Sequence, residues 1–193
     1  DYLSLTALFC AWASALLFVS REPNLGVLAM FLGFAFDKFD GYWARRQGTA
    51  SALGRRIDSF VDAFAYLLTG ALLFHYTLAP NAVVSAVVGF AVLAFGGLRL
   101  VRHDAEGFDS RGGVNYYHGT TVVHTNAVVV VNYVLVSLVP AWNGWAAAAL
   151  VLASAPLMVS DYRAPKTRTA NAVLAVLAVG VAAVCVGLRF GLL

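Results

Sequence analysis

The sequence predicts an all-α integral membrane protein, a bundle of about seven transmembrane helices. Of its 193 residues, 61% are hydrophobic and only 12% are charged. The mean hydropathy is +0.77, well outside the range of ordinary soluble domains. Apolar stretches long enough to cross about 30 Å of hydrocarbon recur along nearly the whole chain and leave no room for a soluble domain. Residues 1–193 are therefore expected to form one transmembrane domain.

Hydropathy places the helices, and the residues that break helices separate them. The predicted helices cover, in chain order, 3–19, 26–46, 52–77, 81–102, 118–139, 143–160 and 168–190. The breaks are Arg-Glu-Pro-Asn at 21–24, Gly48, Pro80-Asn81, the polar stretch from His103 to Tyr117, Pro140 to Gly144, and Asp161 to Thr167. No cleavable signal peptide is expected, because the first apolar run has no basic flank before it.

The basic residues predict the orientation of the bundle. If the first helix begins in the cytoplasm, only Arg21 and Arg189 of the 13 Lys and Arg residues fall on the outer side. The remaining basic residues then face the cytoplasm: Lys38, Arg45, Arg46, Arg55, Arg56, Arg99, Arg102, Arg111, Arg163, Lys166 and Arg168. Adding or removing one span would scatter these charges. We therefore expect a multi-pass protein of the cell membrane whose basic cytoplasmic face suits anionic phosphates and not nucleic acid.

Four of the ten acidic residues lie between Asp37 and Asp62, near the ends of two predicted helices. An uncompensated charge there costs about 2.5–3.5 kcal/mol on insertion scales, so something must balance these carboxylates. Asp37 and Asp40 share one helix face, and Asp58 and Asp62 share a face of the next helix. A short linker containing Gly48 would bring the two helices side by side. The four carboxylates would then converge on one cavity, as hard oxygen ligands for a pair of Mg²⁺ or Mn²⁺ ions.

Small residues accompany these acids at helical spacing. Gly41 and Ala44 follow Asp37 by four and seven residues, and Gly54 precedes Asp58 by four. Gly41 and Ala44 would leave an open strip where a flat nucleotide presses on the helix backbone. Arg45 would face a phosphate, because the planar fork of a guanidinium suits a pyrophosphate better than a lysine does.

The segment from Asp37 to Asp62 resembles the signature of the CDP-alcohol phosphotransferase family at every fixed position. It reads Asp37-Lys-Phe-Asp40-Gly41-Tyr-Trp-Ala44-Arg45, then eight residues, Gly54, three residues, Asp58, three residues and Asp62. The strict match covers positions 37–62, and the helical order around it is similar to the family's six-helix core, with one additional C-terminal helix. Eight specified residues in fixed register make this a highly specific resemblance.

The resemblance implies an enzyme that moves a phosphatidyl-type or archaetidyl-type group from a CDP-activated lipid to the hydroxyl of a small alcohol, releasing CMP. It implies metal ligands at Asp37, Asp40, Asp58 and Asp62, with two divalent cations as cofactors. Asp62 would also serve as the general base. The CDP moiety would lie on Asp40, Gly41, Ala44, Arg45 and Gly54.

The acceptor alcohol must be inferred from other segments. Residues 97–102 and 157–163 resemble the corresponding helix ends of the phosphatidylserine and archaetidylserine synthase branch, which favours L-serine. Residues 115–121 depart from the Gly-Leu-Pro type of turn usual in that branch. The candidate acceptor or lipid-phosphate residues are Arg99, Arg102, Asn115, Tyr116, His118, Arg163 and Lys166. Capping, interfacial and lipid-headgroup roles remain open for all of them, and glycerol 3-phosphate or inositol phosphate remain alternative acceptors.

Three other interpretations of the acidic cluster compete with an enzyme. The acids could form surface ion pairs with Lys38, Arg46, Arg55 and Arg56, but ion pairing does not require Gly and Ala at those offsets. A cation-binding transporter also uses intramembrane carboxylates, yet it does not explain Arg45 beside a strip of small residues. A purely structural membrane subunit ranks last. Contacts with membrane lipids and a homodimer are expected in addition, and no nucleic-acid partner.

Overall fold

The apolar runs fold into helices at the positions the sequence predicts. The structure, a computed structural model, describes residues 2–47, 52–107, 109–111, 114–165 and 167–192. It is 84% helical, which confirms the all-α fold class. Five regular helices are α1 (Tyr2–Val19), α2 (Pro23–Gln47), α4 (Ala82–Glu106), α5 (Val122–Leu138) and α7 (Arg168–Arg189). Each lies within a few residues of its prediction, because Pro, Asn and Gly supply clear stop signals between them.

Two further helices are irregular. α3 runs without interruption through α-helical Ala52–Asp62, π-helical Ala63–Leu68, α-helical Thr69–Leu73 and π-helical Phe74–Leu78. α6 is α-helical over Gly144–Ser154 and tightens into a 3-10 turn over Ala155–Val159. Short π-helical segments are rare and often lie at functional sites. The first of these segments begins directly after Asp62, so the chain departs from regular helix next to the predicted general base.

Asparagine side chains start two of these helices. The side chain of Asn81 accepts a hydrogen bond from the backbone N–H of Val84, and Asn143 accepts from Trp145 and Ala146. Such caps satisfy backbone donors that have no partner inside the first helical turn. The Pro-Asn and Asn-Gly breaks of the sequence are therefore helix starts as well as helix stops.

The helices have the length and composition of membrane spans. Within the described residues, the helices over Tyr2–Val19, Leu53–Leu78, Ala82–Glu106 and Thr169–Arg189 are long and apolar enough to cross a membrane. Val122–Leu138 and Gly144–Val159 are shorter apolar helices. α2 is long but carries Asp37, Lys38 and Asp40 in its second half. Large apolar side chains such as Phe9, Phe90 and Val176 point outward, as a lipid-facing surface requires.

The bundle packs around α3. Tyr66, Leu73 and Phe74 of this helix are fully buried, together with Met30 of α2 and Val129 of α5. α1 lies along α2, and α7 contacts the other side of α2. α3, which carries Asp58 and Asp62 near its start, thus continues into the centre of the bundle.

A small antiparallel sheet, which the sequence analysis did not predict, joins two loops. Its strands are β1 (Asp109–Arg111), β2 (Val114–His118) and β3 (Arg163–Pro165), in the order β1-β2-β3. Gly119 follows β2 with a φ of 70° and donates its backbone N–H to the carbonyl of Tyr162 at 2.7 Å. A side chain at Gly119 would collide with the carbonyl oxygen of Met158. Glycine is therefore required where the sheet meets the end of α6.

The two ends of the bundle differ in charge, as the basic residues predict. At one end, Arg21 donates to the carbonyl of Tyr76 at 3.1 Å, and Arg189 pairs with Glu22 at 3.9 Å. At the other end lie the sheet, the second half of α2 and the start of α3. There Ser59 donates to Asp104 at 3.2 Å and ties α3 to α4. Arg21 and Arg189 thus lie opposite the end that holds the acidic motif.

Candidate active site

The acidic motif is divided between two facing helices. Asp37 and Asp40 lie on α2, and Asp58 and Asp62 lie on α3. Asp37 is only 6% exposed, Asp40 and Asp62 are partly buried, and Asp58 is exposed. A buried carboxylate is costly unless it is paired or hydrogen-bonded, so the contacts of Asp37 indicate what the site is built to hold.

Asp62 lies within electrostatic range of two of the other predicted carboxylates. It interacts with Asp58 on the same helix and with Asp37 across the gap between α2 and α3. Lys38 and Arg99 supply positive charge to the same group. Asp37 of α2 thus lies within electrostatic range of Asp62 of α3, and the convergence of all four acids on one cavity stays a prediction.

Asp40 makes a different contact. Its Oδ2 accepts a short hydrogen bond from the hydroxyl of Ser4 on α1. Among the side chains that the structure describes, no three carboxylate, imidazole or thiol groups lie close enough together to hold one metal ion. The contact with Ser4 involves Oδ2 of Asp40. The four-carboxylate metal site therefore stays a prediction.

The chemistry of the donors fits a hard divalent cation. The available ligands are carboxylate oxygens. Asp37 and Asp58 lie within electrostatic range of Asp62, and Lys38 and Arg99 provide the opposing positive charge. Oxygen ligands with excess negative charge are the set that Mg²⁺ and Mn²⁺ prefer. Asp37, the most buried member, also has its orientation fixed by hydrogen bonds, as metal-ligating carboxylates commonly do.

Tyr66 holds Asp37 and was missed by the sequence analysis. Its hydroxyl donates to Oδ2 of Asp37 at 3.3 Å, and the ammonium of Lys38 contacts the same oxygen at 3.2 Å. The tyrosine is 1% exposed. One sequence signal did point to it, because Tyr66 extends the four-residue steps of Gly54, Asp58 and Asp62 by one more step.

The positions expected to face the nucleotide are described only in part. Gly41 is partly buried on α2, and Gly54 is exposed near the start of α3. The side chains of Ala44 and Arg45 lie outside the described part of the chain, as does Gly48 of the linker. The open strip and the phosphate contact of Arg45 therefore stay predictions.

Arg99 is the predicted acceptor residue that lies nearest to the carboxylates. It is 5% exposed, and it interacts electrostatically with Asp62. Its guanidinium carbon lies 5.5 Å from the centre of the Tyr117 ring. Its Nε has no hydrogen-bond partner among the described residues. A buried guanidinium with an unused donor is suited to bind an anionic group of a substrate.

Arg102 lies three residues later on α4 and is held by protein groups. It contacts Glu106 at 2.9 Å, Asp161 at 3.2 Å and the carbonyl of Val159 at 3.3 Å. These contacts tie α4 to the end of α6. The two arginines, which the sequence does not distinguish, thus occupy different surroundings.

The sheet gathers most of the other predicted acceptor residues. Tyr116 pairs with Pro165 and His118 pairs with Arg163 across β2 and β3. His118 also lines a small cleft of about 10 Å³ whose other walls are Arg99, Arg102, His103, Glu106 and Gly107. The backbone of Asn115 lies in β2, but its side chain and the whole of Lys166 lie outside the described residues. Strand pairing thus places these residues on one small sheet beside the end of α4.

Comparisons with known proteins find one family and two relatives. A family model described as CDP-alcohol phosphatidyltransferase matches residues 1–184. An archaetidylserine synthase of Methanothermobacter thermautotrophicus is 25% identical over 168 residues, which are 86% of this chain and 69% of that protein. A CDP-diacylglycerol–serine O-phosphatidyltransferase of Methanocaldococcus jannaschii is 36% identical over 74 residues, which are 38% of this chain and 35% of that protein.

Proposed function

The chain belongs to the CDP-alcohol phosphatidyltransferase family, and we propose that it transfers a phosphatidyl-type or archaetidyl-type group from a CDP-activated lipid to L-serine, releasing CMP. Support for serine comes from the names of the two relatives, both of which refer to serine or its lipid product. The observation that carries the proposal is that Asp37, Asp58 and the buried Arg99 all lie within electrostatic range of Asp62.

The donor half of the site would use the acidic motif. Asp37, Asp40, Asp58 and Asp62 would hold two divalent cations, which when bound neutralise charge on the pyrophosphate and on the CMP leaving group. Asp62 would accept the proton of the serine hydroxyl. The serine oxygen then forms a bond to the lipid-linked phosphorus, and the bond from that phosphorus to the bridging oxygen breaks. The electron pair of that bond leaves with CMP.

The acceptor half would depend on Arg99. Serine carries a carboxylate, and Arg99 offers an unused donor and a positive charge within electrostatic reach of Asp62. A carboxylate bound there would bring the serine hydroxyl toward the proposed base. The guanidinium lies over the ring of Tyr117, a cation–π contact that would help to orient it toward the carboxylate.

Glycerol 3-phosphate and inositol phosphate are the alternative acceptors. Both carry a phosphate in place of the carboxylate, and Arg163 on β3 adds positive charge close to the cleft at His118. A cation transporter is no longer a competing hypothesis, because the matched family consists of phosphatidyltransferases.

We propose further that the protein lies in the cell membrane and that the end of the bundle with the acidic motif faces the cytoplasm, from which serine would enter and into which CMP would be released. The homodimer also stays a proposal.

The proposal is tested by CMP release from purified protein in lipid nanodiscs. The lipid substrate is supplied with diacyl or archaeol chains, and L-serine, glycerol 3-phosphate and inositol phosphate are compared as acceptors. We expect CMP release that depends on serine and on a divalent cation. Release with either phosphate acceptor and none with serine would overturn the serine assignment.

A matched pair of variants tests the role of Asp62. Asp62→Asn should fold and release no CMP, because an amide cannot accept the proton. The control is Asp104→Asn, the same change in an exposed acid at the same end of the bundle, where Asp104 accepts a hydrogen bond from Ser59. It should release CMP at the unaltered rate. Full activity in Asp62→Asn would exclude it as the base.

A further inference from the structure

The π-helical turn after Asp62 contains a backbone carbonyl that bonds to a side chain from another helix. Over Ala63–Leu68 the helix widens, and the backbone N–H of Thr69 bonds both to the carbonyl of Phe64, five residues earlier, and to that of Tyr66. Such turns are rare and often lie at functional sites. The carbonyl of Tyr66 also accepts a hydrogen bond from Asn126, at 2.7 Å from its Nδ2.

Asn126 is a buried amide inside the helix bundle. It lies on α5, is 3% exposed, and its Nδ2 also lies 3.7 Å from the sulfur of Met30 on α2. A buried amide without hydrogen bonds is strongly unfavourable, so the contact with Tyr66 fixes both groups. Gly70 leaves the room for it, because a Cβ at that position would lie 3.0 Å from Nδ2.

The ring of Tyr66 has two close neighbours on α2. Its ring stacks on Phe34 of α2, with the ring centroids 4.1 Å apart and an interplanar angle of 19°. The ammonium of Lys38 lies 5.8 Å from the centre of the same ring. With the ring fixed, the hydroxyl has one position, next to Oδ2 of Asp37. Lys38 uses that oxygen too, so Oδ1 lies outside both contacts.

We propose that Tyr66 is a positioning residue that orients the carboxylate of Asp37. Asn126 would hold Tyr66 in place by its hydrogen bond to the backbone carbonyl of Tyr66. The inference rests on the proposed function, in which Asp37 is a ligand of a divalent cation. Tyr66 and Lys38 hold Oδ2 and thereby turn Oδ1 toward the space shared with Asp58 and Asp62. Preorganised carboxylates bind cations more tightly, because less freedom is lost on binding.

The first test is the affinity for Mn²⁺, measured by electron paramagnetic resonance of the free ion with no lipid substrate present. Tyr66→Phe keeps the ring and its stacking on Phe34 but removes the hydroxyl. We expect its Mn²⁺ dissociation constant to rise about tenfold, the usual effect of losing an outer hydrogen bond to a ligand. The control is Tyr133→Phe, which removes another buried hydroxyl, bonded to Asn24 at 2.6 Å. It should bind Mn²⁺ like the unaltered protein.

The second test asks whether Asn126 acts through Tyr66. Asn126→Leu and Gly70→Ala both disturb the bond to the Tyr66 carbonyl, and Gly70→Ala is the milder change because alanine favours helix. Each should weaken Mn²⁺ binding about threefold in the unaltered protein, and by much less when Tyr66→Phe is already present. Additive effects in the double variants would overturn the role of Asn126.

The outcomes separate this inference from the proposed function. Equal Mn²⁺ affinity in Tyr66→Phe and the unaltered protein would overturn the positioning role, while serine-dependent CMP release would still support the proposed function. If the unaltered protein bound no Mn²⁺, the metal site and this inference would both fail. A melting temperature that falls further in Tyr66→Phe than in Tyr133→Phe, with no change in Mn²⁺ affinity, would make Tyr66 a structural residue only.

Discussion

Replacing Arg99 by lysine separates the charge of this residue from its geometry. Arg99 is buried, its guanidinium carbon lies 5.5 Å from the centre of the Tyr117 ring, and it interacts electrostatically with Asp62. Lysine keeps the positive charge but loses the planar fork and much of the contact with the ring. If Arg99 binds the carboxylate of serine, the loss falls on serine binding and leaves the reacting atoms unchanged.

The size of the effect follows from the contacts of Arg99. A hydrogen bond to a charged group contributes about 1.5–3 kcal/mol, and each 1.4 kcal/mol corresponds to a factor of ten. Arg99→Lys would replace two hydrogen bonds to the serine carboxylate by one. We therefore expect the KM for serine to rise by about 10- to 100-fold. The kcat at saturating serine should change little, because binding is lost equally from the ground state and the transition state.

The assay is CMP release at a series of serine concentrations, with the lipid substrate held at saturation. Arg102→Lys provides the matched control, since Arg102 lies one helical turn away and is held by Glu106 and Asp161. That variant should lower the melting temperature and leave the KM for serine within about twofold of the unaltered value. Both variants keep a positive charge at the substituted position, so the net charge of the protein does not change.

Two results would contradict the assignment of Arg99. The first is an unchanged KM for serine in Arg99→Lys together with a lower kcat, which would place Arg99 beside the leaving group or Asp62 instead. The second is an equal rise of the serine KM in Arg99→Lys and Arg102→Lys, which would indicate a general loss of structure at the end of α4.

Two further predictions concern metal dependence and the turn that joins the sheet to α6. Removal of divalent cations with EDTA should abolish CMP release, and added Mg²⁺ or Mn²⁺ should restore it; full activity in EDTA would exclude metal catalysis. Gly119→Ala should destabilise the fold by about 1–3 kcal/mol, because alanine is strained at positive φ and its Cβ meets the carbonyl of Met158. Gly89→Ala is the control, since a Cβ there contacts nothing within 4 Å; equal melting temperatures of the two variants would contradict this account.

The helices could be predicted from sequence because their signals are local. Apolar runs of membrane length and the Pro-Asn and Asn-Gly breaks give the helix bounds to within a few residues. The π-helical turns of α3 could not be predicted, since Ala63–Leu68 has the composition of any apolar helix. The sheet was missed for another reason. β2 and β3 lie in loops more than forty residues apart, and their pairing depends on where α4 and α6 end.

The same distinction explains which site residues were found. Asp37 and Asp40 share one face of α2 at three-residue spacing, and Asp58 and Asp62 share one face of α3 at four-residue spacing, so each pair can be read from the chain. Tyr66 continues that spacing, but only the structure shows its hydroxyl on Asp37. The contact of Ser4 with Asp40 joins residues 36 positions apart and has no local signal. Nor does sequence distinguish the buried Arg99 from Arg102, which is held by ion pairs.

The two halves of the proposed site therefore differ in how they are built. The donor half lies within positions 37–62 on two adjacent helices, and its carboxylates are contacted by few residues outside that stretch, among them Ser4 and Tyr66. The acceptor half combines Arg99 of α4, Tyr117 of β2 and a third strand from the loop after α6. Changes in any of these loops can alter the acceptor without moving a carboxylate. A conserved transfer reaction with a variable alcohol is the outcome expected of such an arrangement, because loops tolerate change where packed helices do not. We therefore propose that the sheet and the end of α4 determine which acceptor is used, and we expect substitutions there to change the KM for serine and to leave the affinity for Mn²⁺ intact.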